Sequence, residues 1–134
     1  MIDTHPPAPP LHVLLVDDDR LLRSALAQGL RYHYDVTDVG SVEEATVLVD
    51  RGVAFDAVVT DVEMPTSGRV FVRWLEEHAP ALAARTMVIW GGPRDPALAA
   101  WCRSLPQGRF FSKPMFLAAL VSAIDESAAP QPGA

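Results

Sequence analysis

The sequence predicts an α/β fold in which five βα units surround a doubly wound parallel sheet. Two observations predict this class. Short apolar or β-branched runs alternate with amphipathic helical patterns, and three of these runs are nearly all apolar, as strands covered on both faces should be. The chain has 134 residues, of which 49% are hydrophobic and 21% are charged. This length and composition suit a single soluble domain with one core.

The five predicted strands differ in polarity. The first, third and fourth are mostly apolar, which is typical of central strands, whereas the second and fifth resemble edge strands. In chain order the predicted strands span residues 12–16, 34–38, 55–60, 86–90 and 109–112.

The helices that follow the strands show apolar residues at i, i+3, i+4 and i+7 spacing, which predicts one buried face on each. Ser41 with Glu44 forms a capping box, and Asp95 before Pro96 is a second helix start signal. The predicted buried faces are Leu21/Leu22, Ala25/Leu26 and Gly29/Leu30 in the first helix, then Val42, Ala45, Thr46 and Val49, then Phe71, Trp74, Leu75 and His78, then Leu98, Trp101, Cys102 and Leu105, and finally Leu117, Leu120, Val121 and Ile124.

The two ends of the chain differ from this pattern. Residues 1–10 are rich in proline and residues 128–134 lack apolar content, so both are expected to be tails or linkers around a domain at 11–127. No signal-like segment and no membrane-spanning run is present, and Cys102 is the lone cysteine, so we expect a cytoplasmic protein without a membrane partner. A formal charge of −6 argues against direct nucleic-acid binding.

Charged residues follow three of the predicted strands. Asp17, Asp18 and Asp19 follow the first strand, Asp61 ends the third, and Lys113 follows the fifth. Ligands of such sheets bind at the carboxyl ends of the strands, and these side chains would converge there if the strand order were 2-1-3-4-5. Clustered carboxylate oxygens suit Mg²⁺, so the pattern predicts a magnesium site. Asp19 is expected to cap the first helix rather than to bind metal.

Three motifs occur in order along the chain: an acidic pair after strand one, D-x-x-M-P from Asp61, and K-P at Lys113. Together they are specific, and over about residues 11–127 the chain resembles the receiver domain of two-component response regulators, of the chemotaxis-receiver type. The resemblance implies a flavodoxin-like (βα)5 sandwich with a parallel sheet of order 2-1-3-4-5.

The resemblance also implies a role for each matching residue. Asp61 would accept a phosphoryl group from a sensor histidine kinase or a histidine phosphotransfer protein, and Lys113 would pair with the phosphoryl oxygens. Mg²⁺ would be held by Asp61, by Asp18 directly, by Asp17 through water or as a second carboxylate, and by the backbone carbonyl of Glu63. A cis peptide bond after Lys113 is implied as well.

The chain departs from the family pattern where receivers usually carry a Thr or Ser after strand four. The usual spacing places Gly91 at this switch position, and an alignment shifted by one residue places Trp90 there. Neither residue has a hydroxyl, although the backbone N–H groups of Gly91 and Gly92 could bind an anion. The switching aromatic of strand five is matched by Phe110. A further departure, a shortened loop after Pro65, leaves the start of the third helix open.

The function predicted is that of a phosphoacceptor signalling domain, not an enzyme, which acts on a target protein or an output domain. The main alternative is a pseudoreceiver, an interaction module that works without phosphorylation. Asp17-x-Asp19 also resembles the haloacid-dehalogenase nucleophile motif, but the later acidic pair of that family is misplaced here. A flavodoxin-like cofactor carrier is disfavoured because three carboxylates would repel a phosphate.

Overall fold

The computed structural model describes residues 9–91, 95–113 and 117–128. Within these residues five strands form one parallel sheet: β1 (His12–Val16), β2 (Asp35–Val39), β3 (Ala57–Asp61), β4 (Thr86–Trp90) and β5 (Phe110–Ser112). Their order is β2-β1-β3-β4-β5, which confirms the predicted doubly wound topology and the edge positions of β2 and β5.

The helices cover both faces of this sheet. They are α1 (Arg20–Leu30), α2 (Val42–Asp50), α3 (Gly68–His78), α4 (Pro80–Ala83), α5 (Pro96–Ser104) and α6 (Leu117–Ala128). Helices α1 and α6 pack on one face, while α2, α3, α4 and α5 pack on the other. In the described part of the chain, no helix combines the length and the apolar character that crossing a bilayer requires.

The core is built from alternate residues of the central strands, because successive side chains of a strand point to opposite faces. In β1, Val13 and Leu15 face α1 and α6, whereas Leu14 and Val16 face α2 and α3. All five residues of β3 and of β4 are buried, as the apolar runs predicted. The loops that follow these buried strands therefore begin at one edge of the sheet.

Three strands have boundaries that differ from the prediction by one or two residues. Strand β2 begins at Asp35 because the Tyr34 N–H bonds to Leu30 O and so closes the turn after α1. Strand β3 extends to Asp61, which pairs with Ile89. Strand β5 begins at Phe110 because the preceding residue is held in a turn. The predicted tails lie largely outside the described residues.

The predicted buried face of the first helix was partly wrong. Leu21 is 84% exposed and Ala25 is also exposed, whereas Ala27 and Leu30 are fully buried. The helix is rotated so that Arg23 faces the end of the sheet, where its guanidinium makes two hydrogen bonds. These bonds and the packing of Leu30 set the rotation, and the apolar pairs of the sequence did not indicate it.

Helix α4 was not predicted, and the other helix starts largely follow their sequence signals. Ser41 and Asp95 cap α2 and α5 as expected. The uncertain start of the third helix lies at Gly68, with Ser67 as its cap. The single turn α4 follows α3 directly, and the Thr86 hydroxyl bonds to a carbonyl of this turn. Such a short element depends on these later contacts, which explains why its local sequence did not reveal it.

Candidate functional site

The loop after β1 contains three carboxylates in different surroundings. Asp17 is 2% exposed, whereas Asp18 and Asp19 are open to solvent. Asp17 Oδ1 accepts the Asp19 N–H at 2.9 Å, and Asp19 Oδ1 accepts the N–H groups of Leu21 and Leu22, each at 3.1 Å. Asp19 is thus the N-cap of α1, as predicted, and its carboxylate is engaged by the helix. Asp17 and Asp18 are the acids of this loop that face the end of the sheet.

Arg23 braces this loop from the first turn of α1. Its Nη1 donates to the backbone carbonyl of Asp17 at 2.8 Å, and its Nε pairs with Asp38 Oδ2 at 3.1 Å. Arg31 pairs with the other oxygen of Asp38 at 2.9 Å. A Cβ on Gly40 would lie 2.7 Å from Arg23 Nη1, so the guanidinium fills the space that a larger residue there would need. The sequence reasoning missed Arg23, although its position one turn after the helix cap was the available signal.

Asp61 occupies the last position of β3 and is 7% exposed. Its Oδ1 accepts the Val62 N–H at 2.8 Å, which holds the carboxylate against the following loop. Gly68, the first residue of α3, packs so tightly here that an added Cβ would lie 2.1 Å from Asp61 O. The short loop after β3 thus folds back over the strand end and requires glycine at this contact.

Lys113 brings a positive charge to the same place. Its Nζ lies 3.5 Å from Asp61 Oδ2 and 3.8 Å from Asp17 Oδ2. Its backbone N–H bonds to Trp90 O at 2.9 Å, which continues the pairing of β5 with β4. Asp17, Asp18 and Asp61 each offer one carboxylate oxygen, and these three oxygens lie within 4.8 Å of one another. The structure therefore brings together the four residues that the motifs singled out.

Burial determines the electrostatics of this group. Desolvation raises the pKa of Asp61 above its usual value, Lys113 opposes this shift, and Asp17 adds to it by repulsion. Burial likewise raises the pKa of Asp17, against the Asp19 N–H and Lys113, which favour its charged form. Carboxylates held this close in a partly desolvated site favour binding of a divalent cation, because the cation offsets their mutual repulsion. Three carboxylate oxygens at this spacing suit a hard cation such as Mg²⁺.

Glu63 follows Asp61 in the loop after β3, and its side chain bonds to Trp90. Its Oε1 accepts the Trp90 indole N–H at 2.6 Å. The predicted metal contact of Glu63 is through its backbone carbonyl, so the direction of the side chain does not conflict with that prediction. The sequence reasoning did not foresee the contact with Trp90.

The switch region at the end of β4 is described as far as Gly91. Trp90 is 5% exposed and packs beneath α5, in one apolar cluster with Ala99 and Cys102. Gly91 is exposed, and a Cβ there would lie 3.5 Å from Lys113 Cδ, an ordinary contact distance. Phe110 is half-buried beside Trp90, with the two ring centroids 6.4 Å apart. Gly92 and the proline that follows Lys113 lie outside the described residues.

The solved structures most similar to this chain include several receiver domains. A response regulator receiver protein from Pseudomonas putida is 28% identical with a TM-score of 0.74, and the match covers 90% of this chain and 98% of that one. One from Sinorhizobium medicae is 27% identical with a TM-score of 0.74, covering 89% and 94%. A receiver domain protein from Clostridium thermocellum has 23% identity and a TM-score of 0.73, covering 88% and 94%, and at that identity it supports the fold alone.

Sequence comparison agrees with these structures. No curated protein sequence matches the chain. The family model of the response regulator receiver domain matches residues 13–125, which is most of the chain. Receiver domains of this family are signalling modules of two-component systems. On this match, together with the sheet order and the acidic group at its edge, the chain belongs to the response regulator receiver domain family.

Proposed function

We propose that the protein is a phosphoacceptor in a two-component phosphorelay, with Asp61 as the residue that is phosphorylated. The observation that carries this proposal is the convergence of three carboxylates within 4.8 Å, with Lys113 Nζ 3.5 Å from Asp61 Oδ2. A helix cap or a solvated acidic turn would not require a lysine from a distant strand at this point. The phosphoryl donor is a sensor histidine kinase or a histidine phosphotransfer protein.

In the proposed reaction an Asp61 carboxylate oxygen attacks the phosphorus of a phosphohistidine. The new O–P bond forms as the P–N bond breaks, and the departing imidazole keeps the electron pair and takes up a proton. The Val62 N–H on Oδ1 fixes the orientation of the carboxylate, and Lys113 neutralises negative charge as the phosphoryl group arrives. Transfer of this kind is accelerated mainly by positioning and charge neutralisation.

Mg²⁺, when bound, supplies the remaining positive charge for the phosphoryl oxygens. Asp17, Asp18 and Asp61 would hold it, together with the backbone carbonyl of Glu63. Arg23 supports this arrangement because it fixes the carbonyl of Asp17 and so the course of the loop. Phosphorylation would then signal to a target protein or to an output domain, in the cytoplasm, with no nucleic acid or membrane as a direct partner.

Intact-mass measurement tests the acceptor assignment. With Mg²⁺ and a small-molecule phosphodonor, the parent protein is expected to gain one phosphoryl group and Asp61→Asn none. Asp18→Ala is expected to need more Mg²⁺ for the same labelling. The matched control is Asp35→Asn, which changes an exposed aspartate far from the site in sequence. Labelling of Asp61→Asn at the parent level would show that another residue is the acceptor.

A second candidate function is the pseudoreceiver, a module that binds partners without phosphorylation. One observation favours it: Gly91 and Trp90, the two possible switch residues, both lack the hydroxyl that would bond the phosphoryl group. Beryllofluoride with Mg²⁺ distinguishes the two, because it mimics a phosphoryl group at the acceptor. A parent protein that shows neither covalent labelling nor a fluorescence change would support the pseudoreceiver.

A further inference from the structure

Trp90 connects three parts of the molecule that surround the carboxylate group. Its ring is almost completely buried at the end of β4, in one apolar cluster with Val62, Ala99 and Cys102. Its indole N–H reaches across to the loop after β3 and donates to the Glu63 carboxylate at 2.6 Å. Neither Trp90 nor Gly91 carries a hydroxyl, so Trp90 provides the bulky side chain at the end of β4.

The bond to Glu63 is strong for its kind. The donor is a buried indole N–H, which needs a partner, and the acceptor is a carboxylate, which shortens and strengthens the hydrogen bond. The same loop is tied to β4 a second time, because the Val62 N–H bonds to Ile89 O at 3.2 Å as well as to Asp61 Oδ1. A movement of the residues directly after Asp61 therefore reaches Trp90 through Glu63.

The other side of the Trp90 ring lies against the elements farther from the site. Ala99 and Cys102 of α5 belong to its cluster, and the Phe110 ring is tilted by 57° against it with centroids 6.4 Å apart. Since interiors are close-packed, a shift of so large a ring must displace these neighbours. Trp90 thus has contacts both with the loop that follows the acceptor and with α5 and β5.

We propose that Trp90 is a positioning residue whose hydrogen bond to Glu63 couples occupancy of the carboxylate site to α5 and Phe110, in place of the missing switch hydroxyl. This inference rests on the proposed function, because it assumes that Mg²⁺ and a phosphoryl group bind at Asp61. It gives a role to the Trp90 side chain and to its hydrogen bond with the Glu63 carboxylate.

Amide and indole NMR spectra test this coupling. The Trp90 indole signal is assigned by its loss in Trp90→Phe, which keeps a ring in the cluster but removes the N–H. Mg²⁺ is added first, and beryllofluoride with Mg²⁺ second. In the parent, the Val62 amide reports occupancy of the site, and we expect the Trp90 indole and the Ala99, Cys102 and Phe110 amides to shift together with it.

Two substitutions of Glu63 distinguish coupling through its hydrogen bond from a general effect of mutation on the structure. Glu63→Gln keeps an oxygen that accepts the indole N–H, so the response of α5 and Phe110 is expected to persist. Glu63→Ala removes the acceptor from a half-exposed position. At Mg²⁺ and beryllofluoride concentrations that shift its Val62 amide, and so fill the site, Ala99 and Phe110 are expected to lose their response. Trp90→Phe is expected to behave like Glu63→Ala.

The outcomes distinguish a failure of the coupling through Trp90 from a failure of the phosphoacceptor function. If Ala99 and Phe110 respond in Glu63→Ala as fully as in the parent, the coupling through Trp90 is wrong and the phosphoacceptor function stands. The same holds if the parent Trp90 indole stays fixed while the Val62 amide shifts. If no signal of the parent responds to either addition, the proposed function fails and this inference fails with it.

Discussion

Replacing Asp61 by asparagine removes one negative charge from the carboxylate group and keeps an oxygen that can accept the Val62 N–H. We expect the metal-free Asp61→Asn protein to be more stable than the parent at neutral pH. The reason is that burial is the largest cause of the raised pKa of Asp61, so its ionised form is unfavourable in the fold.

The structure indicates the size of this effect. At an effective dielectric constant of about 20, two like charges 4.8 Å apart, the limit for these carboxylate oxygens, repel by about 3.5 kcal/mol. The attraction between Asp61 and Lys113 at 3.5 Å is about 4.7 kcal/mol on the same scale. Repulsion from Asp17 offsets most of this attraction and Asp18 adds to the repulsion, so together with the cost of desolvation the balance favours asparagine. Lys113 keeps Asp17 as a partner at 3.8 Å, so we expect a net gain of about 1 to 2 kcal/mol, a usual size for the effect of one substitution.

The pH dependence has a definite sign. Folding raises the pKa of Asp61 above its ordinary value of 3.8, so the folded state binds more protons than the unfolded state between these two values. The stability of the parent therefore falls as the pH rises through this window, and Asp61→Asn lacks that loss. The stability difference between the two proteins should grow across the window and stay constant above it.

Urea unfolding in EDTA, followed by circular dichroism at several pH values, measures this difference. Asp35→Asn is the control that loses the same charge on an exposed part of β2. A second unfolding series contains Mg²⁺ at about 100 times its dissociation constant. Mg²⁺ should then stabilise the parent by about 2.7 kcal/mol and Asp61→Asn by much less. A variant less stable than the parent in EDTA, or an equal gain of both proteins from Mg²⁺, would refute the reasoning.

Four further changes test other contacts. Gly68→Ala should destabilise the fold by about 3 kcal/mol or more in urea unfolding, because its Cβ would meet Asp61 O at 2.1 Å, whereas Gly91→Ala should be close to neutral; equal effects would contradict this account. Gly91→Thr should fit at its 3.5 Å contact and enlarge the NMR response of α5 and β5 to phosphorylation, and identical spectra for the two phosphorylated forms would count against it. Tyr34→Phe should cost about 1 kcal/mol in urea unfolding, since the hydroxyl donates to a carboxylate of α6 at 2.7 Å, and no loss would mean that this bond contributes nothing. Burial raises the pKa of Cys102 to about 11, so thiol reagents at pH 8 should modify it only as fast as the protein unfolds, and rapid labelling of the native state would disprove its burial.

Much of the candidate site followed from the sequence for a simple geometric reason. The carboxyl ends of parallel strands share one edge of a sheet, so Asp17, Asp61 and Lys113 had to approach one another once their strands were placed. The buried strands could also be predicted, because runs such as those of β3 and β4 are mostly apolar. Local capping at Ser41 and Asp95 depended on neighbouring residues alone and was predicted as well.

Contacts between distant residues were decided only by the tertiary structure. The Trp90 indole meets Glu63 across 27 positions of sequence, and the Tyr34 hydroxyl meets the carbonyl of Val121 across 87. The rotation of α1, which leaves Leu21 exposed, likewise depends on where neighbouring elements dock. Alternation and helical periodicity identify which face of an element is apolar, whereas the partner of each side chain depends on the close packing of all the elements together.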